Sequence, residues 1–219
     1  MQFAVVPATF ANKDTKEQRP RFTWGRQLKM LTETDFLVLN AVYLKKVATG
    51  TQVSEMTGVA SDDVAHIFAV ATEQGWLMDM GSDGVMVLED GIAQVKTYYT
   101  ETYASLRSNA ALTDWYRGFE SLNVRFVAAV TEWQESDGSD RSEQRVVQGA
   151  ERLAKDILRL MPLVPRYESY VSRLERSMER VDAGERDYVC NPTVDSVHNV
   201  WFEFHEDILT VLAKPRDTT

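Results

Sequence analysis

The stretch Thr51-Gln-Val-Ser-Glu-Met-Thr-Gly58, followed at once by Val59-Ala-Ser-Asp-Asp-Val64, decides the fold. Its first half reads as a short helix stopped by glycine, and its second half restarts a helix with Ser61 as the natural N-cap. The restarted helix carries Val64, Ile67, Phe68 and Ala71 inward. It leaves Asp62, Asp63, Ala65, His66, Ala69 and Glu73 on the outer face until Gly75 ends it. Two helices around so short a break form a helix-turn-helix.

Upstream, Thr32 can cap a helix with Asp35 three residues on, and Phe36, Leu39, Val42, Tyr43 and Val47 recur at helical spacing, which predicts a helix over about 33–48. Residues 11–30 are polar, basic and broken by Pro20 and Gly25, so residues 1–30 read as a basic arm. The apolar opening Met1 to Phe10 is interrupted by Pro7, lacks a basic leader and is too short to span a bilayer, so it reads as neither a secretion signal nor an anchor.

Downstream, Trp76 to Met80 and Val85 to Leu88 are short apolar runs flanking Gly81-Ser-Asp-Gly84, whose Asp-Gly pair suits a tight hairpin turn. Ile92, Val95, Tyr99, Tyr103 and Leu106 then predict a helix that closes a first domain over 31–108. Four further stripes follow. Trp115, Phe119, Leu122, Phe126, Val130 and Trp133 make one, ended by Ser136-Asp-Gly-Ser-Asp140; Val146 to Leu160 make the second and Tyr167 to Val181 the third. Val197, Trp201, Phe204, Ile208 and Leu212 make the last. The expected fold is mainly α: a winged helix-turn-helix domain with a small β-hairpin wing, plus a C-terminal α-helical bundle over 109–219 that dimerises or senses a ligand.

With 219 residues and 44% hydrophobic content the chain can bury a core, which excludes a disordered protein. Its single cysteine, Cys190, excludes an internal disulfide and a multi-cysteine zinc site, and points to a reducing, cytoplasmic setting. The net charge of −9 is unevenly spread. Residues 1–46 hold eight Lys/Arg against four Asp/Glu, whereas 47–95 hold no Lys or Arg and eight acids: Glu55, Asp62, Asp63, Glu73, Asp79, Asp83, Glu89 and Asp90.

Leu31-Thr-Glu-Thr-Asp-Phe-Leu-Val-Leu39, Thr51 to Gly58, Ser61-Asp-Asp-Val64, Glu73-Gln-Gly-Trp-Leu77 and Val87-Leu-Glu-Asp-Gly91 together resemble the MarR-like winged helix-turn-helix regulators over about a third of the chain. The resemblance implies a homodimeric transcriptional regulator that lays the second helix of the turn in the major groove of double-stranded DNA and touches phosphates with the wing. It further implies release of DNA when a small molecule binds. The base-reading positions would fall on Ser61, Asp62, Asp63, Ala65, His66 and Ala69, and the wing tip, where the family usually carries an arginine, is Gly81-Ser-Asp-Gly84.

Those residues depart from what DNA demands. A tight DNA binder neutralises roughly 6–10 phosphates, mostly through Lys and Arg, and aspartates on that surface repel it. The missing charge has to come from Arg19, Arg21, Arg26 and Lys29 on the arm and from Lys45 and Lys46 at the end of the first helix. The alternative is a winged helix turned into a protein-binding module, whose acidic face docks a basic protein partner. Asp62 and Asp63 also have a plainer explanation, since acids in a first turn favour the helix dipole.

On the last helix Asp195, His198, Trp201, Phe202 and His205 fall close to one face and, with Trp133, could line a pocket for a small apolar ligand; otherwise the two histidines are polar edges of a core seam. Asp195-Ser196-x-His198 has the residue types of a hydrolytic triad but sits within one helical turn, and Leu209 occupies the place of a second zinc-binding histidine after His205-Glu206. No glycine-rich phosphate loop is present. The sequence therefore predicts no enzyme, no metal, no cofactor and no membrane segment.

Overall fold

The structure, a computed structural model, describes residues 31–215. The basic arm, with Arg19, Arg21, Arg26 and Lys29, lies outside the described residues. Within them the chain is mainly helical with one small three-stranded antiparallel sheet.

Helix α1 (Glu33–Lys45) begins at a reciprocal cap, in which Thr32 Oγ1 accepts from the Asp35 amide at 3.1 Å and the Asp35 carboxylate accepts from the Thr32 amide at 3.2 Å. It ends earlier than the periodicity predicts. Lys46 turns the backbone left-handed (φ 71°), and Val47–Ala48 become strand β1, with Val47 exposed instead of facing a helical core. Helix α2 (Gly50–Thr57) is capped by Thr49 and closed by Gly58 at φ 73°, and α3 (Ser61–Glu73) follows. Ala60, not Ser61, holds the N-cap position of α3 and supplies no side-chain bond; Ser61 Oγ instead lies 3.5 Å from Ser54 Oγ, at the limit of a hydrogen bond.

Strands β2 (Leu77–Asp79) and β3 (Val85–Val87) pair antiparallel, and β1 adds to the other edge of β3, placing Val47 opposite Met86 and Ala48 opposite Val85. The connection is a 3-10 turn over Gly81–Asp83 rather than a two-residue hairpin turn, closed by Met80 N donating to Gly84 O at 2.8 Å. Gly84 has φ +98°, and a Cβ there would run into the Ala48 carbonyl, so β1 can approach only because this residue is glycine.

Helix α4 (Glu89–Thr102) leads through a 3-10 turn to α5 (Ala110–Glu135), α6 (Asp140–Ile157), α7 (Glu168–Asp182), the short α8 (Asp187–Cys190) and α9 (Val197–Leu212). The expected stripes are buried: Phe119, Leu122, Phe126 and Val130 on α5, Val146 to Ile157 on α6, Val171, Leu174 and Val181 on α7. Helix α9 is more than one bundle member. It packs against α6, α7 and α8 and also against α1 and α4, so one continuous core joins the two ends of the described chain.

Candidate functional site

Helix α3 presents Asp62, Asp63, Ala65, His66, Ala69 and Glu73 to solvent, in agreement with the periodicity. The same stretch also exposes three apolar side chains, Val70 on α3 and Met78 and Met80 along β2 and its end. Asp79 is engaged locally, accepting from the Gly81 amide at 2.8 Å. No lysine or arginine lies anywhere between Lys46 and Lys96 to offset this face.

Lys45, one of the cations expected to serve DNA, is committed elsewhere. Its Nζ donates to Asp195 Oδ1 at 3.2 Å and to Glu203 Oε1 at 2.9 Å, and its side chain is only 16% exposed. Buried Arg173 answers the same two carboxylates, through Nε to Asp195 Oδ2 at 2.7 Å, through a terminal nitrogen to Asp195 Oδ1 at 2.7 Å, and through the same nitrogen to Glu203. Burial pushes the Asp195 carboxyl up, but Arg173 and Lys45 outweigh it and hold the group down at about 2. Asp195, expected on the last helix, precedes it, since Ser196 is the N-cap of α9; two bases and two acids thus close a box between α1, α7, α9 and the turn that leads into it, leaving Lys45 no charge to offer a phosphate. Lys46 is exposed, with its Nζ 4.6 Å above the Tyr43 ring.

A second buried network joins the same elements. Asp207 is fully buried on α9 and accepts from both terminal nitrogens of Arg166, from Tyr167 Oη at 3.1 Å and from Tyr170 Oη at 2.9 Å. The Arg166 guanidinium also donates to Tyr103 Oη at 2.9 Å and lies 5.0–5.4 Å from the ring centres of Phe36, Tyr99, Tyr103 and Tyr167. Tyr99 Oη in turn donates to Asn40 Oδ1 at 2.9 Å. Burial works against the charge on Arg166, yet Asp207 more than compensates and keeps it protonated; burial and the same carboxylate push Tyr99, Tyr167 and Tyr170 far up, so all three stay neutral donors. The chemistry of this network is cohesion, a fixed charge pair with its donors and acceptors filled.

Of the residues predicted to line one ligand pocket, His198, Trp201 and His205 share the face of α9 that meets α5, along the rings of Phe126 and Phe119, whereas Phe202 does not. Trp201 is a core residue, 2% exposed, stacked flat on Phe126 at 3.7 Å with Nε1 donating to Asn123 Oδ1 at 2.8 Å. His198 Nδ1 lies 3.4 Å from Cys190 Sγ, and burial lowers its pKa. His205 meets the Phe119 ring edge-on at 5.1 Å. Phe202, 37% exposed, instead borders a cleft of about 520 Å³ with Asp195 and Lys45. Trp133 Nε1 is buried with no acceptor among the described residues. Along the α5 side of α9 the Phe126 ring meets both His198, at 6.4 Å, and Trp201, and the Phe119 ring meets both Trp201, at 5.9 Å, and His205, so aromatic rings from α5 pack against this seam.

Arg166, Arg173 and Asp207 were not singled out from the sequence. A usable signal exists for Asp207, which sits three residues after Phe204 and four before Val211, both buried, so a charge falls inside an apolar helical stripe. Among the described residues no group of three or more His, Cys, Asp or Glu side chains is placed to hold a metal, and no helix is long and apolar enough to cross a membrane. No family model, characterised protein or solved structure matches the chain.

Proposed function

We propose that residues 31–108 form a winged helix-turn-helix that serves as a protein-docking module, with the outer face of α3 receiving a basic partner. The observation that carries this reading is the composition of that stretch: Asp62, Asp63 and Glu73 stand exposed on α3, Val70, Met78 and Met80 are exposed in the same stretch, no cation lies within it, and one of the two lysines that end α1, Lys45, is neutralised by Asp195 and Glu203. Acids around exposed apolar side chains suit an arginine- or lysine-rich surface, which gains steering from the charge and burial from the methionines.

The second reading is a MarR-like, homodimeric cytoplasmic regulator that binds double-stranded DNA. The α2–Gly58–α3 arrangement favours it, as does the exposed position of Lys46, and residues 1–30 would have to supply most of the phosphate contacts. One experiment separates the two: the full chain and its Asp62→Ser/Asp63→Ser variant are titrated in parallel with an arginine-rich peptide and with a mixed-sequence duplex. Docking predicts peptide affinity reduced about two- to tenfold in the variant, the sum of two surface charge contacts. Duplex binding that strengthens in the variant and disappears on removal of residues 1–30 would transfer the assignment to the DNA reading.

A further inference from the structure

A cleft of about 320 Å³ opens between α1, α4 and α9, with no α3 residue in its lining. Its described lining brings together Lys96 from α4, Arg107 from the 3-10 turn that follows, and Lys214 from just beyond α9, against the single carboxylate of Glu206. A net positive cleft is out of character for a chain of net charge −9. In the other clefts described, of about 420, 520 and 240 Å³, carboxylates outnumber the cations or pair with most of them, as Asp156 does with Arg152 and Arg159.

The three cations here are not used up by the fold. Among the described residues no carboxylate lies within ion-pair distance of Lys96, Arg107 or Lys214. Arg107 is the most telling. Its Nε is buried without an acceptor, and its one hydrogen bond among the described residues, from a terminal nitrogen to Tyr99 O, is 3.5 Å long. A guanidinium cannot shed its proton, so a partly buried one with donors unfilled calls for an acceptor. Lys214 Nζ sits 4.7 Å above the Tyr116 ring, which steadies the cation without neutralising it. Tyr43 and Leu209 supply an apolar side to the same cleft.

We infer that this cleft binds a small organic anion, whose carboxylate or phosphate is held by Arg107, Lys96 and Lys214 and whose short apolar part lies against Tyr43 and Leu209. The volume is at the low end of the range of roughly 300–1,000 Å³ usual for ligand sites, which suits a molecule of about one ring. The site is independent of what α3 docks.

The test is calorimetric titration of the full chain with benzoate, phenyl phosphate and neutral benzamide. Saturable binding of either anion without binding of benzamide supports the site, and the anion preferred identifies the head group. Lys96→Gln, an exposed position whose replacement leaves packing intact, should weaken the anion roughly five- to tenfold, and Arg107→Gln at least as much. Lys155→Gln, an exposed cation on α6, should leave it unchanged. Failure of both anions to saturate, equal binding of benzamide, or undiminished affinity in Lys96→Gln overturns the inference.

Discussion

Asp207 concentrates more of the molecule's electrostatics than any acid on its surface: no part of it is exposed, and it answers Arg166 and two tyrosine hydroxyls at once. Removing one member of such a pair strands the other in a low dielectric, at about 3–5 kcal/mol. Asp207→Asn should therefore lower the urea unfolding free energy by that order, and a change below about 1 kcal/mol would show Arg166 to be satisfied without it. Sequence reasoning could place Asp207 and Tyr170 within helical stretches but not pair them with Arg166, which lies in a 3-10 turn ahead of α7. Lys45 lies 150 residues from Asp195 and 158 from Glu203, so its ordinary position in a last helical turn says nothing of a charge already taken. Asp62, Asp63 and His66 were legible because their exposure follows from helical phase alone, with no distant partner to decide it.

Elements were read well where a period of 3.6 residues runs for several turns, as on α5, α6 and α7, and poorly where two residues decide the matter. Strand β1 is Val47–Ala48, too short for a period of its own, and only its partner β3 makes it a strand. Two glycines test this at the level of elements. Gly84→Ala forces both a left-handed backbone and a collision with Ala48, and should cost at least about 2 kcal/mol while releasing β1 from the sheet, read as lost amide protection at Val47 and Ala48. Gly118→Ala, in the interior of α5 with open space around the added methyl, should instead stabilise by about 0.5–1 kcal/mol in the same urea titration. Equal effects at the two positions would contradict the sheet geometry.

At the scale of the whole molecule, the sequence divided the chain near residue 108, yet α9 packs on α1 and α4 as well as on α6 and α7, and a single cluster of buried side chains runs through all of them. Such a core should unfold as one unit. The helical circular dichroism signal and tryptophan fluorescence are expected to change at the same urea concentration; two separated midpoints would mean that the two ends hold together independently. The apolar stripes could predict helices on each side of residue 108, but not that the last one returns to the first, because a stripe records that a face is covered and not by what.

The aromatic nest around Arg166 limits how this protein could be taken apart. Phe36, Tyr99 and Tyr103 come from before residue 108, whereas Arg166 and Asp207 come from after it. A recombination break at that point, natural or engineered, would hand one half a bare aromatic hollow and the other a charged plug with nothing to enter. The segment carrying α3 is thus a poor candidate for transplantation onto a foreign scaffold unless α9 and its arginine partner travel with it.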